Sequence, residues 1–373
     1  MVPSHSERLR HPVHLMSTTG QQPQVKLDRD ELARRDPSDQ LTDVLAIPEH
    51  LRDALWKVES AALSPWDSPG GLVVAGMGGS GIGGRLARAI LGDQASRPIL
   101  SVGEYALPPW TTPETTVLCA SYSGDTEETL TCFEAAGIVG ARRVVASSGG
   151  RLSELARAEG VPVIPFAGGL QPRAAVAYVT VAALEVAALC GSAPRMTTEI
   201  DVAADHLEQL VQAWGPDAGE ESEAKVLARG LHDTVPVIAG SGMTGSIAYR
   251  WKTQINENAK QPAFASTLPE LDHNEIVGWT SAPRYGRFSA VFLDDSDDTP
   301  RVSRRIALTR EIIEAGAAAT FVVPSRGQTT VERAFSLVLL GDLVSVYLAA
   351  LNGEDPGTIL PIDRLKAGLG DGD

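Results

Sequence analysis

Residues 71–91 read GLVVAGMGGSGIGGRLARAIL, a short apolar run that breaks into glycines and resumes with a helical pattern. This order predicts a buried strand, a tight turn and the beginning of a helix. Glycines let the backbone approach a ligand closely, and the free N–H groups of a helix N-terminus bind anions. The stretch therefore predicts a phosphate-binding turn. Gly76, Gly78 and Gly81 also satisfy the dinucleotide pattern G-x-G-x-x-G, which by itself is a weak indication.

A second copy of this unit lies in the other half of the chain. The segment VVAGMGGSGIGGRL, residues 73–86, aligns without gaps with VIAGSGMTGSIAYR, residues 237–250. Two copies of one strand–turn–helix unit predict a duplicated domain more strongly than either glycine run does. A single dinucleotide-binding domain does not account for the repeat, although Glu104 stands where such a domain has its ribose-binding acid.

After each copy, short apolar runs alternate with helical segments. Alternation at this spacing predicts parallel strands joined by crossover helices. The predicted fold class is therefore α/β, with two domains that are each a three-layer αβα sandwich around a mainly parallel sheet. The predicted boundaries are a disordered N-terminal extension over 1–37, a first domain with N-terminal helices over 38–195, a helical linker over 196–222 and a second domain over 223–373.

The composition argues against several classes of partner. The formal net charge is −15, and because nucleic-acid binding needs a cationic face, no nucleic-acid partner is expected. No stretch reaches about 20 uninterrupted apolar residues, so no membrane partner is expected. Cys119, Cys132 and Cys190 form no C-x-x-C pair, and Cys119 and Cys190 lie in apolar runs. This cysteine usage predicts buried, reduced thiols and a cytoplasmic protein.

The segment SYSGDTEET, residues 121–129, is a second candidate phosphate loop. Ser121, Ser123 and Thr126 bring three hydroxyls to one predicted helix N-terminus, where hydroxyls and backbone N–H groups donate to phosphate oxygens. Capping of the helix by Thr126 is expected as a parallel role, but one hydroxyl suffices for a cap. Asp125 would repel a phosphate that it faced, so we expect its carboxylate to point away.

Residues 256–279, NENAKQPAFASTLPELDHNEIVGW, concentrate titratable side chains. We expect this segment to leave a helix, become irregular and line a pocket. An isomerase of phosphorylated sugars needs a carboxylate that moves a proton between C1 and C2, an acid or base that opens the ring, and a cation for the enediolate. Glu257 and His273 are candidates for the first two groups. A metal site of Glu270, His273 and Glu275 is disfavoured, because no second histidine stands nearby.

The combination of GMGGS, SYSGDTEET, NENAKQPA and PELDHNE resembles the bifunctional phosphoglucose/phosphomannose isomerase family, which is built from two sugar isomerase (SIS) domains. The resemblance extends over nearly the whole chain beyond the N-terminal extension. It implies the interconversion of glucose 6-phosphate or mannose 6-phosphate with fructose 6-phosphate, with no metal and no other cofactor. The preference between glucose and mannose stays open.

The resemblance also implies roles for individual residues. Glu257 is matched to the base that moves the proton between C1 and C2, and His273 to the ring-opening residue, which the partner subunit contributes in this family. The resemblance therefore implies a homodimer with a shared active site. Arg173 is matched to the arginine that steadies the enediolate, and Lys366 to a lysine at the ring oxygen or C1 hydroxyl. Gly79 and Ser80 are matched to the loop that contacts the sugar, and Ser121, Ser123 and Thr126 to the loop that binds the phosphate. Thr358 lies near the position whose hydroxyl admits both C2 epimers. The number of residues between Thr358 and Lys366 differs by about one from the spacing in the family.

The sequence also bears on three other functions. A non-catalytic SIS-type regulator that only binds a sugar phosphate would keep the phosphate loop and lose the base, so Glu257 and His273 disfavour it. The interpretation as an NAD-dependent oxidoreductase is based on the first glycine loop alone. A glutamine-dependent amidotransferase is disfavoured because the sequence contains no N-terminal cysteine glutaminase domain.

Overall fold

A computed structural model describes residues 25–370. Within them, nine strands form two sheets. The strands are β1 (Leu72–Ala75), β2 (Ile99–Val102), β3 (Thr116–Ala120), β4 (Arg142–Ser147), β5 (Val163–Pro165), β6 (Val235–Ser241), β7 (Phe264–Leu268), β8 (Phe288–Asp294) and β9 (Ala319–Pro324).

Fourteen α-helices lie in the same described residues and surround the sheets. They are α1 (Arg29–Arg35), α2 (Gln40–Leu45), α3 (Ile47–Ser60), α4 (Gly78–Leu91), α5 (Glu127–Val139), α6 (Gly150–Ala158), α7 (Val176–Leu189), α8 (Thr197–Trp214), α9 (Glu223–Leu231), α10 (Met243–Ala259), α11 (Glu275–Gly278), α12 (Pro300–Ile313), α13 (Thr330–Asn352) and α14 (Leu360–Gly370). Short 3₁₀ helices include Pro172–Ala175 before α7 and Glu270–His273 after β7.

The two sheets share one strand order. The first sheet runs β2-β1-β3-β4-β5 and the second runs β7-β6-β8-β9, so the second repeats the first without its last strand. All of the strand pairs in these sheets are parallel. The predicted α/β fold class is confirmed. The predicted repeat is confirmed as well, because β1 with α4 and β6 with α10 hold equivalent places in their sheets.

The core lies on both faces of each sheet and continues between the domains. Of the largest core helices, α7 packs against α3 and α4, and α13 packs against α8, α9 and α10. Both are apolar on nearly every side, which is the pattern of a helix surrounded by protein. By length and composition, two described helical stretches could cross a membrane, but 89% of Pro172–Leu189 and 94% of Thr330–Asn352 are buried inside the fold.

The predicted disorder over 1–37 is wrong for its last part. Helix α1 lies there, and Leu27 and Leu32 are buried in the core. The polar composition of the extension hid these two apolar anchors. Residues 1–24 lie outside the described residues, so that part stays a prediction.

The expectation of irregular structure after α10 is also wrong in part. Residues Phe264–Leu268 form β7, which pairs with β6 at the edge of the second sheet. Two prolines and several polar residues obscured the strand, because its side chains are only partly buried and β-propensity depends strongly on such surroundings. The thiols of Cys119, Cys132 and Cys190 are free and buried, as predicted.

Candidate active site

The candidate active site is a cleft between the two domains, at the carboxyl end of β1. In the first sheet β1 lies between β2 and β3. The connection from β1 leads to β2 on one side of β1, and the connection from β2 leads to β3 on the other side. Open parallel sheets bind ligands at such a switch point. The cleft is lined on one side by the first domain and on the other by α10: Gly76, Met77, Gly78, Gly79, Gly81, Ile82, Arg85, Ser101, Gly103 and Arg173 face Tyr249, Arg250, Thr253, Gln254 and Glu257.

The first glycine loop lies against the segment that carries Arg173. A side-chain carbon at Gly79 would come within 2.5 Å of the Pro172 carbonyl oxygen, so only glycine allows this approach. Gly79 lines the cleft. The Ser80 side chain is buried instead, and its hydroxyl accepts a hydrogen bond from the Tyr122 N–H at 3.1 Å. Ser80 thereby joins the loop after β1 to the loop after β3.

The loop after β3 gathers the predicted phosphate-binding hydroxyls. Ser121 Oγ lies 2.8 Å from Thr126 Oγ1 and accepts the Gly124 N–H at 3.0 Å. Ser123 is exposed, and its Oγ accepts the Asp125 N–H at 3.2 Å. Thr126 stands at the N-cap position of α5, yet its side chain accepts no hydrogen bond from the helix. The predicted capping role is therefore wrong, because the Thr126 hydroxyl is bonded to Ser121.

The acid of this loop is held by the next helix. Asp125 Oδ1 accepts the Arg151 N–H at 2.9 Å, at the first turn of α6. Gly124 adopts a left-handed φ of +79°, and a side-chain carbon there would lie 1.9 Å from the Gly149 carbonyl oxygen. The loop is thus pinned to α6. The Asp125 carboxylate is bonded to α6 and not to α5.

Glu257 and Arg173 meet at the inner end of the cleft. Arg173 Nη1 lies 3.8 Å from Glu257 Oε2; the Arg173 side chain is 3% exposed and that of Glu257 is 29% exposed. Burial lowers the pKa of Arg173, and the nearby Glu257 carboxylate opposes that shift. A guanidinium keeps its proton at neutral pH in spite of such a shift. The site therefore joins an accessible carboxylate to a buried cation.

The neighbours of Glu257 in the NENAK motif hold this pair in position. Asn258 Oδ1 accepts the Arg173 Nε–H at 2.7 Å, and Asn258 Nδ2 donates to Ser345 Oγ at 2.8 Å. The Pro356 carbonyl accepts a second hydrogen bond from Arg173, at 2.6 Å. Asn256 acts on the other side, where its Oδ1 accepts the Ala263 N–H at 2.9 Å and shapes the turn into β7.

Lys260 fastens the C-terminal segment to the end of α10. Its ammonium donates to the carbonyls of Glu257 and Asp355 at 2.8 and 2.6 Å, with longer contacts to those of Asn258 and Pro356. Burial and the nearby Arg173 charge lower the pKa of Lys260. A cation at a helix C-terminus satisfies carbonyls that the helix leaves without partners. The sequence showed this lysine within its motif but not its bond to residues 355–356.

The pair Arg250 and Asp342 supports the site from behind. Both side chains are almost fully buried, and Arg250 Nε and Nη2 donate to the two Asp342 oxygens at 3.0 and 2.5 Å. Arg250 Nη2 also donates to the Arg173 carbonyl at 3.1 Å. Sequence reasoning missed this pair, because its members lie 92 positions apart. A local signal was the position of Asp342 in the middle of the long apolar run of α13.

Of the predicted site residues, Gly79, Arg173 and Glu257 line the cleft of the single chain, and the other seven do not. Ser80, Ser121, Ser123 and Thr126 belong to the two adjoining loops described above, and His273, Lys366 and Thr358 lie elsewhere. His273 is exposed at the end of a 3₁₀ helix whose Asp272 is bonded to Arg305 and Thr309 of α12. It does not line the cleft, and no hydrogen bond or ion pair joins it to a lining residue in the described chain. Lys366 is exposed on α14. Thr358 is exposed and donates to the Asp355 carbonyl at 3.2 Å.

The residues weighed as metal ligands are engaged elsewhere. Glu270 Oε1 accepts from Asn274 Nδ2 at 2.8 Å, and Glu275 Oε2 is hydrogen-bonded to the Ser266 hydroxyl. Across residues 25–370, no three His, Cys, Asp or Glu side chains are grouped so as to hold a metal ion.

Comparison with known proteins places this chain in a family. The family model described as the bacterial phospho-glucose isomerase C-terminal SIS domain matches residues 220–369. Over 299 residues the chain is 39% identical to the bifunctional phosphoglucose/phosphomannose isomerase of Caldicellulosiruptor bescii, covering 79% of this chain and 88% of that protein. The chain belongs to the bifunctional phosphoglucose/phosphomannose isomerase family. It is accordingly an enzyme of the isomerase class, as the sequence motifs predicted.

Two further comparisons agree with this membership. The bifunctional phosphoglucose/phosphomannose isomerase of Aquifex aeolicus is 33% identical to the chain, over 84% of this chain and 94% of that protein. The crystal structure of a glucose-6-phosphate isomerase like protein from Thermus thermophilus superposes with a TM-score of 0.60 at 20% identity, covering 92% of this chain and 99% of that one. The structural match supports the fold of two SIS domains.

Proposed function

We propose that this isomerase interconverts glucose 6-phosphate, mannose 6-phosphate or both with fructose 6-phosphate, by metal-independent proton transfer through a cis-enediol. The names of its curated relatives support these substrates. The observation that carries the mechanism is the contact of 3.8 Å between the accessible Glu257 carboxylate and the buried Arg173 guanidinium.

Glu257 is the proposed base. Its carboxylate takes the proton from C2 of the open-chain aldose and returns it to C1, while the O2 hydroxyl proton passes to O1 and the carbonyl moves from C1 to C2, so no atom is gained or lost. Arg173 lies where the developing negative charge on the enediolate oxygens needs a partner. Because Arg173 is buried, its charge acts through a poorly screened environment and is already oriented before the reaction.

The loop of Ser121, Ser123 and Thr126 is the proposed site of the 6-phosphate. Its hydroxyls cluster at the N-terminus of α5, whose backbone N–H groups favour an anion. Ser80 joins this loop to the first glycine loop, which adjoins Arg173. A substrate held by its phosphate would therefore extend past Gly79 toward Glu257.

The remaining residues belong to the proposed dimer. His273 of the partner subunit is proposed to open the sugar ring, which fits the exposed position of this histidine in the single chain. Lys366 is proposed to lie at the ring oxygen or C1 hydroxyl, and Thr358 near C2. For both to do so, α14 and the segment that precedes it must lie closer to the cleft in the dimer than they do in the single chain.

The direct test is a coupled assay with glucose 6-phosphate and mannose 6-phosphate, with and without EDTA. We expect turnover of at least one substrate and no effect of EDTA, and loss of activity in EDTA would contradict the metal-independent mechanism. Glu257→Gln should lower kcat about 10²–10⁴-fold, the usual contribution of a positioned base, while fructose 6-phosphate still binds.

Glu134→Gln is the matched control, since Glu134 is an exposed carboxylate of α5 that does not line the cleft. It should keep the wild-type rate. Wild-type protein that binds fructose 6-phosphate without ever equilibrating it with an aldose would instead be a sugar-phosphate-binding regulator.

A further inference from the structure

The outer end of the cleft carries an arrangement that the proposed reaction does not use. Arg85 of α4 lies over the ring of Tyr249 of α10, with its guanidinium carbon 4.7 Å from the ring centroid. Lys252 Nζ lies 5.0 Å from the same centroid. Arg85 and Tyr249 both line the cleft, so two cations flank one aromatic ring at its edge.

Neither cation has a counter-ion among the residues that the structure describes. No hydrogen bond or ion pair joins Arg85 or Lys252 to a carboxylate within residues 25–370, whereas the buried Arg250 is fully paired with Asp342. The chain as a whole carries a net charge of −15. Two uncompensated cations at the edge of a cleft attract an anion there.

The direction of the helices puts these cations beyond the reacting carbons. Gly79, in the first turn of α4, adjoins Arg173 and therefore the Glu257 end of α10, whereas Arg85 meets Tyr249 earlier in α10. The two helices thus run antiparallel along the cleft. Arg85 lies six residues, or about 9 Å, along α4 from Gly79. Because helical side chains lean toward the N-terminus, Arg85 leans back toward Gly79.

We propose that Arg85, Lys252 and Tyr249 form a second anion subsite, which takes a phosphate group on C1 of a hexose bisphosphate whose 6-phosphate occupies the Ser121 loop. This inference rests on the proposed function, since that function orients the sugar. The two cations match the charge of a phosphate dianion. The planar guanidinium offers two parallel donors, and the Tyr249 hydroxyl offers a third.

The subsite gives the isomerase a means of inhibition by bisphosphorylated sugars. A ligand held at both ends occupies the cleft and excludes the monophosphate substrate. It also spans both domains, because the 6-phosphate loop and Arg85 belong to the first domain and Tyr249 and Lys252 to the second.

The test compares two ligands that cannot isomerise, a hexitol 6-phosphate and a hexitol 1,6-bisphosphate, by calorimetric binding and by inhibition of turnover. For wild-type protein we expect the bisphosphate to bind at least about tenfold more tightly, as one or two charge-assisted contacts would give. Arg85→Gln and Lys252→Gln should each reduce this ratio toward one. Arg88→Gln, at an exposed arginine one turn further along α4 that does not line the cleft, should leave the ratio unchanged.

Equal binding of the two hexitol phosphates by wild-type protein would overturn the proposal. An affinity ratio of bisphosphate to monophosphate that is unchanged in the Arg85 and Lys252 variants would overturn it as well. The calorimetric ratio is independent of turnover. Protein without isomerase activity would therefore refute the proposed function, while the ratio would still decide whether the second subsite exists.

Discussion

At the residue scale, the decisive feature is how firmly Arg173 is held. Asn258, the Pro356 carbonyl and Glu257 surround its guanidinium, and the Arg250 side chain binds its backbone carbonyl. A cation fixed in this way does not have to reorganise when charge develops on the substrate, which is the main source of electrostatic catalysis.

The variant Asn258→Ala keeps Arg173 but removes one of the groups that position its guanidinium. The change removes the acceptor of the Arg173 Nε–H and leaves Ser345 without the Asn258 donor, so we expect kcat to fall about tenfold and stability to fall by about 1–3 kcal/mol. Steady-state kinetics and urea unfolding measure the two effects.

Asn256→Ala is the matched control for this variant. It removes one hydrogen bond, to the Ala263 N–H, and touches no group of Arg173. Its stability should fall while its kcat stays near that of the wild type. An equal loss of kcat in both variants would show that Asn258 acts only through the stability of the motif.

At the element scale, the proposed phosphate loop, which carries Ser121, Ser123 and Thr126, depends on its contact with α6. Gly124 and Gly149 approach so closely that neither the backbone conformation nor the space at Gly124 admits a side chain. The same contact lets Asp125 bind the first turn of α6, which keeps its charge bonded away from the N-terminus of α5.

Gly124→Ala should therefore displace the loop. The left-handed φ alone costs about 1–2 kcal/mol for alanine, and the clash with Gly149 adds to it. We expect a raised KM for the sugar phosphate together with a lower melting temperature. Gly149→Ala is the control from the other side of the contact, because nothing lies within 4 Å of a side-chain carbon there. A similar KM in both variants would contradict the role given to this contact.

The loop after β8 occupies in the second sheet the place that the phosphate loop has in the first. It is acidic: Asp294 ends β8, Asp295, Asp297 and Asp298 follow around Ser296, and Arg333 pairs with Asp295 and Asp297. Such a loop repels a phosphate, so of these two equivalent loops only the one after β3 is the proposed phosphate site. Burial, and then the neighbouring carboxylates, raise the pKa of Asp298 to about 6.

This raised pKa predicts a pH dependence of stability. The folded state holds the Asp298 proton more tightly than the unfolded chain does, so its contribution is present at low pH and is lost as the pH rises through about 6. Asp298→Asn should therefore gain stability over the wild type at about pH 7.5 but little at about pH 4, by about 1 kcal/mol after allowance for solvent screening. Urea unfolding at both pH values measures the difference.

Asp297→Asn controls for the general loss of negative charge from this loop. Asp297 is exposed and paired with Arg333, so its removal should bring no comparable gain at the higher pH. A gain of equal size in both variants would assign the effect to net charge rather than to the burial of Asp298.

At the scale of the whole molecule, the single chain keeps Glu257 in the cleft and His273 on an exposed surface of the second domain. The homodimer proposed above would reconcile these positions if its twofold axis brought the second domain of each copy to the first domain of the other.

Mixing two inactive variants tests this arrangement. In a mixed dimer of Glu257→Gln and His273→Ala chains, one shared site carries both changes and the other carries neither. Random reassortment makes half of the dimers mixed, so we expect about a quarter of the wild-type activity after refolding the mixture. A mixture that stays inactive would place both residues of a site on one chain. Each variant refolded alone is the control.

Much of the fold follows from local pattern. The glycine turn, the repeat and the alternation of strands with helices predicted two parallel α/β domains, because the period of apolar residues and the turn chemistry act within a few residues. The predictions failed where surroundings override local pattern: α1 is ordered by burial of Leu27 and Leu32, and β7 by its pairing with β6.

The sequence by itself determined most of the elements, the duplicated architecture and, through its motifs, the family; the residues that it names for the site stay predictions. Only the tertiary structure decided how Arg173 is held, which acids are bonded elsewhere, and that Arg85 meets Tyr249 at the open end of the cleft. These contacts join residues far apart in the chain, such as Arg173 and Asn258, 85 positions apart. No local periodicity reports them, because they form only when the burial of two cores brings the domains together.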